Sequence, residues 1–225
     1  MEKPRTALLL VGSPKGSDST SNSLGTYLLD QLQEKGLTTR KMMINQCLGS
    51  LEKQASMLNA VDESDLIILA SPLYVDSLHS QVIKSLELIA QHEKSKTNKT
   101  PKTFVAISNS GFPEANQNNL ALTVCRIFAV QTGLVWAGGL AMGGGGMIHG
   151  IPLDKAKGQC RNQIKALKLT ADALIKGESI PNEALLSMAK LGIPRSLYTW
   201  MGNMGWKQRA KPNMKVKQMY NQPDK

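Results

Sequence analysis

Hydroxyl and amide side chains crowd one short stretch of this chain. Gly12-Ser13-Pro14-Lys15-Gly16 runs into Ser17-Asp18-Ser19-Thr20-Ser21-Asn22-Ser23. An apolar run, Ala7 to Val11, precedes it, and a helical pattern begins at Leu24. A buried strand, a loop of small donors and a helix start can cradle an anion, because backbone N–H groups and hydroxyls donate and the helix end adds positive potential. A terminal phosphate monoester offers several acceptor oxygens to such a loop. The same residues also suit a polar loop capped by serine, and the loop alone does not separate the two readings. It has neither the Gly-Lys-Ser/Thr ending of a triphosphatase P-loop nor the GxGxxG spacing of dinucleotide folds.

Two further loops carry chemistry of a different kind. Ser71-Pro72-Leu73-Tyr74-Val75-Asp76-Ser77-Leu78-His79-Ser80 offers an aromatic face at Tyr74 and an apolar one at Val75. Pro72 restricts Ser71 to extended geometry, and Ser77 or Ser80 is placed to cap a helix. Asn109-Ser110-Gly111-Phe112-Pro113-Glu114 offers amide and backbone donors, a glycine for close approach and an aromatic ring. Each is also readable as an ordinary turn. Together they suit a planar heterocycle held beside a phosphate.

These loops need elements to position them. Five strand-like runs are Ala7–Val11, Leu37–Ile44, Leu66–Ala70, Phe104–Ser108 and Leu134–Met142. Most are continuously apolar, as strands buried on both faces are. The second has a polar centre, as an edge strand has. Helical stripes lie between them: Leu24, Leu28 and Leu32, ended by Gly36; a weaker one over Glu52–Ala60; Val82 to Ala90; Leu120 to Val130; and Ile164 to Ile175, closed by Gly177. Alternating strands and helices predict an α/β domain, doubly wound, with a five-stranded parallel sheet of order 2-1-3-4-5. All three loops then lie at the carboxyl ends of their strands, where such folds bind ligands.

Residues 1–180 are read as this domain and residues 181–225 as an extension, with a short helix at Glu183–Leu191 and a basic end. The chain carries a formal charge of +10, and the extension supplies most of it. The body is nearly balanced, which argues against a nucleic-acid binder. Leu197, Tyr198, Trp200, Met201, Met204 and Trp206 beside cations fit packing on the domain or a partner subunit, or an interfacial membrane segment. Packing is the preferred reading, because Gly202, Asn203 and Gly205 weaken a continuous amphipathic helix. No run approaches the ~20 apolar residues of a membrane span, and the five apolar residues before Gly12 are too short for a signal peptide. A cytoplasmic protein is expected. Cys47, Cys125 and Cys160 are scattered and form no CxxC pair, so free thiols are expected and no metal site. His79, His92 and His149 suit solvent or capping positions, and no catalytic triad stands out.

Gly12-Ser13-Pro14-Lys15 with Ser21-Asn22-Ser23 resembles the GSPR…SNT phosphate loop of NAD(P)H-dependent FMN reductases of the flavodoxin superfamily. Ser71-Pro72-Leu73-Tyr74 with Ser77 and Leu86 resembles that family's SPxYxxS…L segment, and Asn109-Ser110-Gly111-Phe112 stands at its third flavin loop. The resemblance covers residues 5 to about 176. It implies a flavodoxin-like fold with FMN bound at all three loops. Ser13, Pro14, Ser21, Asn22 and Ser23 would hold the phosphate. Pro72, Leu73, Tyr74, Val75, Asn109, Gly111 and Phe112 would surround the ribityl chain and ring. It also implies NADH or NADPH as hydride donor, a small-molecule electron acceptor such as a quinone or free flavin, and a homodimer or homotetramer. The protein would bind and orient the flavin, so no catalytic side chain is expected. The rival readings are an electron-carrying flavodoxin, which the basic charge disfavours, and a non-catalytic flavin-binding module. The chain departs from the family in a longer first loop, in Lys15 for arginine, and in Asp76 near the ring. Cys47 alone replaces the cysteine cluster of the iron-sulfur relatives, which excludes that subclass.

Overall fold

A computed structural model describes residues 1, 3–97, 100–148, 150–156 and 158–211. His149 and the end of the basic extension lie outside the described residues. In chain order the elements are β1 (Thr6–Val11), α1 (Thr20–Glu34), β2 (Thr38–Met43), α2 (Ile44–Cys47), α3 (Leu51–Asp62), β3 (Leu66–Tyr74), β4 (Ser77–Leu78), α4 (Ser80–Ser95), β5 (Thr103–Asn109), α5 (Asn119–Thr132), β6 (Val135–Met142), α6 (Arg161–Leu174), α7 (Asn182–Ala189) and α8 (Arg195–Ala210). The sheet order is β2-β1-β3-β5-β6, with β4 paired to β3. Those five strands are parallel, so the predicted order holds, and the antiparallel β4 is an addition.

Burial explains the sheet. Leu8, Leu9 and Leu10 of β1, and Leu66 to Leu69 of β3, are fully or almost fully buried on both faces. Alternate residues feed two cores. One face packs Leu9, Val11 and Ile68 against Leu24, Leu28 and Leu32 of α1 and Leu167, Ala171 and Leu174 of α6. The other packs Leu8, Leu10 and Ile67 against Met57 and Val61 of α3, Val82 and Ile89 of α4, and Cys125 and Phe128 of α5. At about 1.5–3 kcal/mol for each large apolar side chain buried, the sheet is the dominant stabilising element. β2 bears its polar residues at the edge, as expected.

Several boundaries differ from the sequence reading, each for a physical reason. α1 starts at Thr20, not Leu24, because Ser19 Oγ accepts from the Asn22 N–H at 3.1 Å and caps it. The first turn faces polar surroundings, so apolar periodicity begins only later. β3 runs on to Tyr74, past the expected end at Ala70. Ser71 and Pro72 continue in register with Ser108 and Asn109, and Leu73 and Tyr74 pair with Leu78 and Ser77. Proline suits the extended backbone there. The cap of α4 is neither Ser77 nor Ser80: His79 Nδ1 accepts from the Gln81 N–H at 3.3 Å.

The described residues divide into two compact units, the first Met1–Gly192 and the second beginning at Ile193. α7, read from sequence as part of the extension, packs on α6 and β6, with Ala184 and Met188 buried in the first core. In the second unit, α8 is one continuous helix of 16 residues despite Gly202 and Gly205, and it buries none of its residues. Cys47, Cys125 and Cys160 are free and buried. Burial pushes the Cys125 thiol up to about 12 and raises Cys47 and Cys160, so none is a poised nucleophile. Among the described residues there is no cluster that could hold a metal ion, and no helix long and apolar enough to cross a membrane.

Candidate functional site

The three loops meet at the carboxyl edge of the sheet, where β1 and β3 lie side by side. A cavity of about 120 Å³ opens there. From the first loop Ser13, Lys15, Asp18, Ser19, Thr20 and Ser21 line it; from β3, Pro72 and Tyr74; from β5, Asn109. Five residues picked from sequence are thus brought together: Ser13, Ser21, Pro72, Tyr74 and Asn109.

The first loop owes its shape to local hydrogen bonds. A single 3₁₀ turn, Gly16–Asp18, takes up its extra length. Gly16 N–H donates to the Ser13 carbonyl, and Ser19 Oγ donates to the Gly16 carbonyl at 2.7 Å. Helix geometry leaves the N–H groups of Thr20 and Ser21 without intrahelical carbonyls, and both residues line the cavity. The hydroxyls differ in what they have left to give. Ser19 is committed as donor and acceptor. Thr20 Oγ1 donates to the Gly145 carbonyl at 2.7 Å, and Ser21 Oγ donates to Asn109 Oδ1 at 2.7 Å. Ser13 Oγ only accepts, from the Lys15 N–H at 3.3 Å. Its proton has no acceptor among the described residues, although Ser13 is buried. The donor set is therefore the Ser13 hydroxyl, two helix N–H groups and the exposed Lys15 ammonium at the rim. The Asp18 carboxylate on the same rim opposes an anion.

Asn22 and Ser23 do other work. Asn22 Nδ2 donates to the Ser17 carbonyl and its Oδ1 accepts from Thr26, while Ser23 Oγ donates to the Ser19 carbonyl. Neither lines the cavity. Pro14 is exposed, and Leu73 is half-buried against the second core.

Val75 and Asp76 form the two-residue tip between β3 and β4. Both have left-handed backbone, with φ of 45° and 61°. That geometry fits a type I′ turn, in which Asn-Gly is ordinary and a β-branched valine is strained. Val75 is 96% exposed. Tyr74, 39% exposed, sets its ring edge-on to His79 at 5.1 Å between centroids. Gly111 and Phe112 are exposed on the third loop, beyond Asn109.

The glycine run after β6, Gly143 to Gly146, is a tight passage that welds the first and third loops. Gly144 N–H donates to the Phe112 carbonyl and Gly145 N–H to the Ser110 carbonyl, at 2.7 and 2.8 Å. A Cβ on Gly143 would stand 2.4 Å from the Pro113 oxygen, and one on Gly150, whose φ is +78°, would stand 2.6 Å from the Asp18 backbone. Asn118, fully buried, secures the third loop from the other side. Its Nδ2 donates to the Ala115 and Met142 carbonyls and to Ser110 Oγ, and its Oδ1 accepts from Ser108. Gly145 was missed from sequence because its partner Thr20 lies 125 residues away, and Asn118 because its partners converge on it only in the fold. Only Ser19-Thr20 carried a local signal, as a cap before a helix.

No family model matches the chain, and no curated protein matches it. Solved structures do match it. An FMN-dependent NADH-azoreductase from Bacillus anthracis, in complex with FMN, is similar over 76% of this chain and 99% of that one, at 14% identity and a TM-score of 0.54. A flavodoxin of Streptococcus pneumoniae is similar over the same shares at 15% identity and 0.53. A short-chain flavodoxin associated with a bacterial microcompartment covers 77% and 99% at 12% identity and 0.53. At such identities the likeness establishes the architecture: the chain has the flavodoxin-like fold.

Proposed function

We propose that this chain binds FMN at the carboxyl edge of its sheet and works as an oxidoreductase of the NAD(P)H-dependent FMN reductase kind. The observation that carries the reading is the shared cavity. It joins uncommitted donors at the N-terminus of α1 to Pro72, Tyr74 and Asn109, at the switch point between β1 and β3. The fit is good at the phosphate end: a small cradle, a buried hydroxyl with an unused proton, and the end of a 15-residue helix. The similar architecture of an azoreductase solved with FMN supports it.

Ser13 and the Thr20 and Ser21 N–H groups would hold the phosphate, with Lys15 adding charge from the rim. Asn109 would orient the ribityl chain. Tyr74, Val75, Gly111 and Phe112 would stand around the ring, exposed enough to leave a face open to reactants. Bound FMN would accept a hydride from NADH or NADPH and return electrons to a small acceptor such as a quinone or free flavin. The side chains bind and orient, and none is assigned acid–base work. The free, buried thiols suit a reducing cytoplasm. Exposed Leu120, Ile127 and Val130 on α5 supply an apolar face on which a homodimer or homotetramer would form.

Purification followed by anaerobic mixing tests the proposal. The protein reconstituted with FMN should be yellow, and its absorbance near 450 nm should bleach within seconds of adding NADH or NADPH, on the order of typical enzyme turnover. Absence of retained flavin defeats the binding claim. Retained flavin that bleaches only with a chemical reductant assigns an electron carrier instead.

A further inference from the structure

The second unit has chemistry of its own, independent of flavin binding. In α8, Leu197, Trp200, Met201 and Met204 fall at i, i+3, i+4 and i+7, one side of the helix. Their exposures are 43, 58, 50 and 40%. A row of four large apolar residues left that open is a binding face, not surface scatter. Arg195 opens the helix, Lys207 and Arg209 lie in its last turn, and Lys211 caps its end. No aspartate or glutamate occurs between Glu183 and Asp224.

The charge selects the occupant. A second copy would bring the same cations against these, and the whole chain is already at +10. An acid-free segment favours an anionic surface. The apolar row with a tryptophan in it needs an apolar layer under that surface, which nucleic acid does not offer. A helix of 16 residues is too short to span a bilayer but long enough to lie in its interface. We propose that α8 is an interfacial helix that docks the protein on anionic lipid, with Leu197, Trp200, Met201 and Met204 sunk into the acyl boundary and the basic residues on the headgroups. This reverses the preference drawn from sequence, where Gly202, Asn203 and Gly205 argued against a continuous amphipathic helix. All three lie off the apolar row.

The test uses the full chain and sucrose-loaded vesicles of phosphatidylcholine, with or without phosphatidylglycerol. Co-sedimentation should be stronger with the anionic vesicles, should fall as salt rises, and should blue-shift tryptophan emission as Trp200 leaves water. Leu197→Ser with Met201→Ser and Met204→Ser should abolish both signals. Lys207→Gln with Arg209→Gln and Lys211→Gln should weaken anionic binding by roughly a hundredfold. Circular dichroism and unfolding of each variant show that the first unit is intact. No sedimentation with anionic vesicles overturns the proposal, as does binding that both triple variants leave unchanged. A dimer or a duplex-DNA complex lost with the same serines, in a protein that ignores vesicles, also overturns it and assigns the face to that partner.

Discussion

The two edges of the sheet solve opposite problems. The carboxyl edge is built from hydroxyls, amides and glycine backbone, with a single lysine and a single aspartate on the cavity rim. The amino edge is built from charges. Asp65 Oδ2 accepts from the Arg5 and Thr6 N–H groups and from the Thr6 hydroxyl at 2.8 to 3.0 Å. The Asp62 carboxylate holds His92 and Lys96, and Lys96 also pairs with the buried Glu93. Buried Lys102 donates to the Asp62 and Ser64 carbonyls. The larger cavity is also there, about 630 Å³, lined by Lys3, Pro4, Arg5, Asp65 and Pro101. Size alone would choose the amino edge. At the amino edge Asp62, Asp65, Lys96 and Lys102 are committed to one another and to backbone, whereas the smaller cavity keeps a buried hydroxyl and helix N–H groups unspent. What marks the smaller cavity as the candidate site is unused hydrogen-bonding capacity held rigid by its surroundings.

The largest effect expected from breaking this contrast is on ligand affinity. Ser13→Ala should weaken FMN by roughly ten- to a hundredfold, the worth of one hydrogen bond to a charged group, and leave riboflavin nearly unchanged. Asn22→Ala, whose amide is tied to Ser17 and Thr26, should change neither much. Fluorescence titration reads both, and equal losses in the two variants would place the phosphate elsewhere.

Next is the weld between loops. Gly143→Ala must push the Phe112–Pro113 backbone aside, and should lower unfolding free energy by about 1–3 kcal/mol in urea titration. A smaller gain is expected at the hairpin tip. Val75→Asn with Asp76→Gly installs residues suited to left-handed backbone and should stabilise by roughly 1 kcal/mol. No gain would mean that the tip bears no strain.

At the amino edge the effect is smallest and has its own pH signature. Burial pushes the Asp62 carboxyl up, but hydrogen bonds from Lys96 and His92 outweigh it and hold it below the ordinary range. Asp65 is lowered in the same way by Arg5 and Thr6. A depressed carboxylate stabilises the fold above its unfolded pKa, near 3.9, and loses that contribution as pH falls through the folded value. Asp62→Asn should therefore cost about 1 kcal/mol or less at neutral pH, shrink the acid-induced loss below about pH 4, and leave FMN affinity unchanged. A shift in FMN affinity would show that the two edges are coupled.

Much of the fold was legible because β1, β3 and β5 are apolar on both faces, and few other elements read that way. The lining of the candidate cavity was legible where chemistry is local: Ser13, Ser21, Pro72, Tyr74 and Asn109 sit in short motifs. What stayed hidden depended on distance or on exceptions. β4 is two residues long, and its tip lacks the Asn-Gly signal of a hairpin. The first turn of α1 is polar because it faces a cavity, so it read as loop. Asn22 and Ser23 matched a motif, yet their side chains turn back into the helix start. Gly145 and Asn118 matter through partners that only the folded chain supplies.

In the proposed site the N-terminus of α1 would hold a phosphate belonging to a flavin. Calorimetric titration of the flavin-free protein with FMN and with riboflavin tests it most directly. FMN is expected to bind at least about a hundredfold more tightly, since the phosphate adds several charge-assisted hydrogen bonds. Equal affinities, or binding of neither flavin, would contradict it.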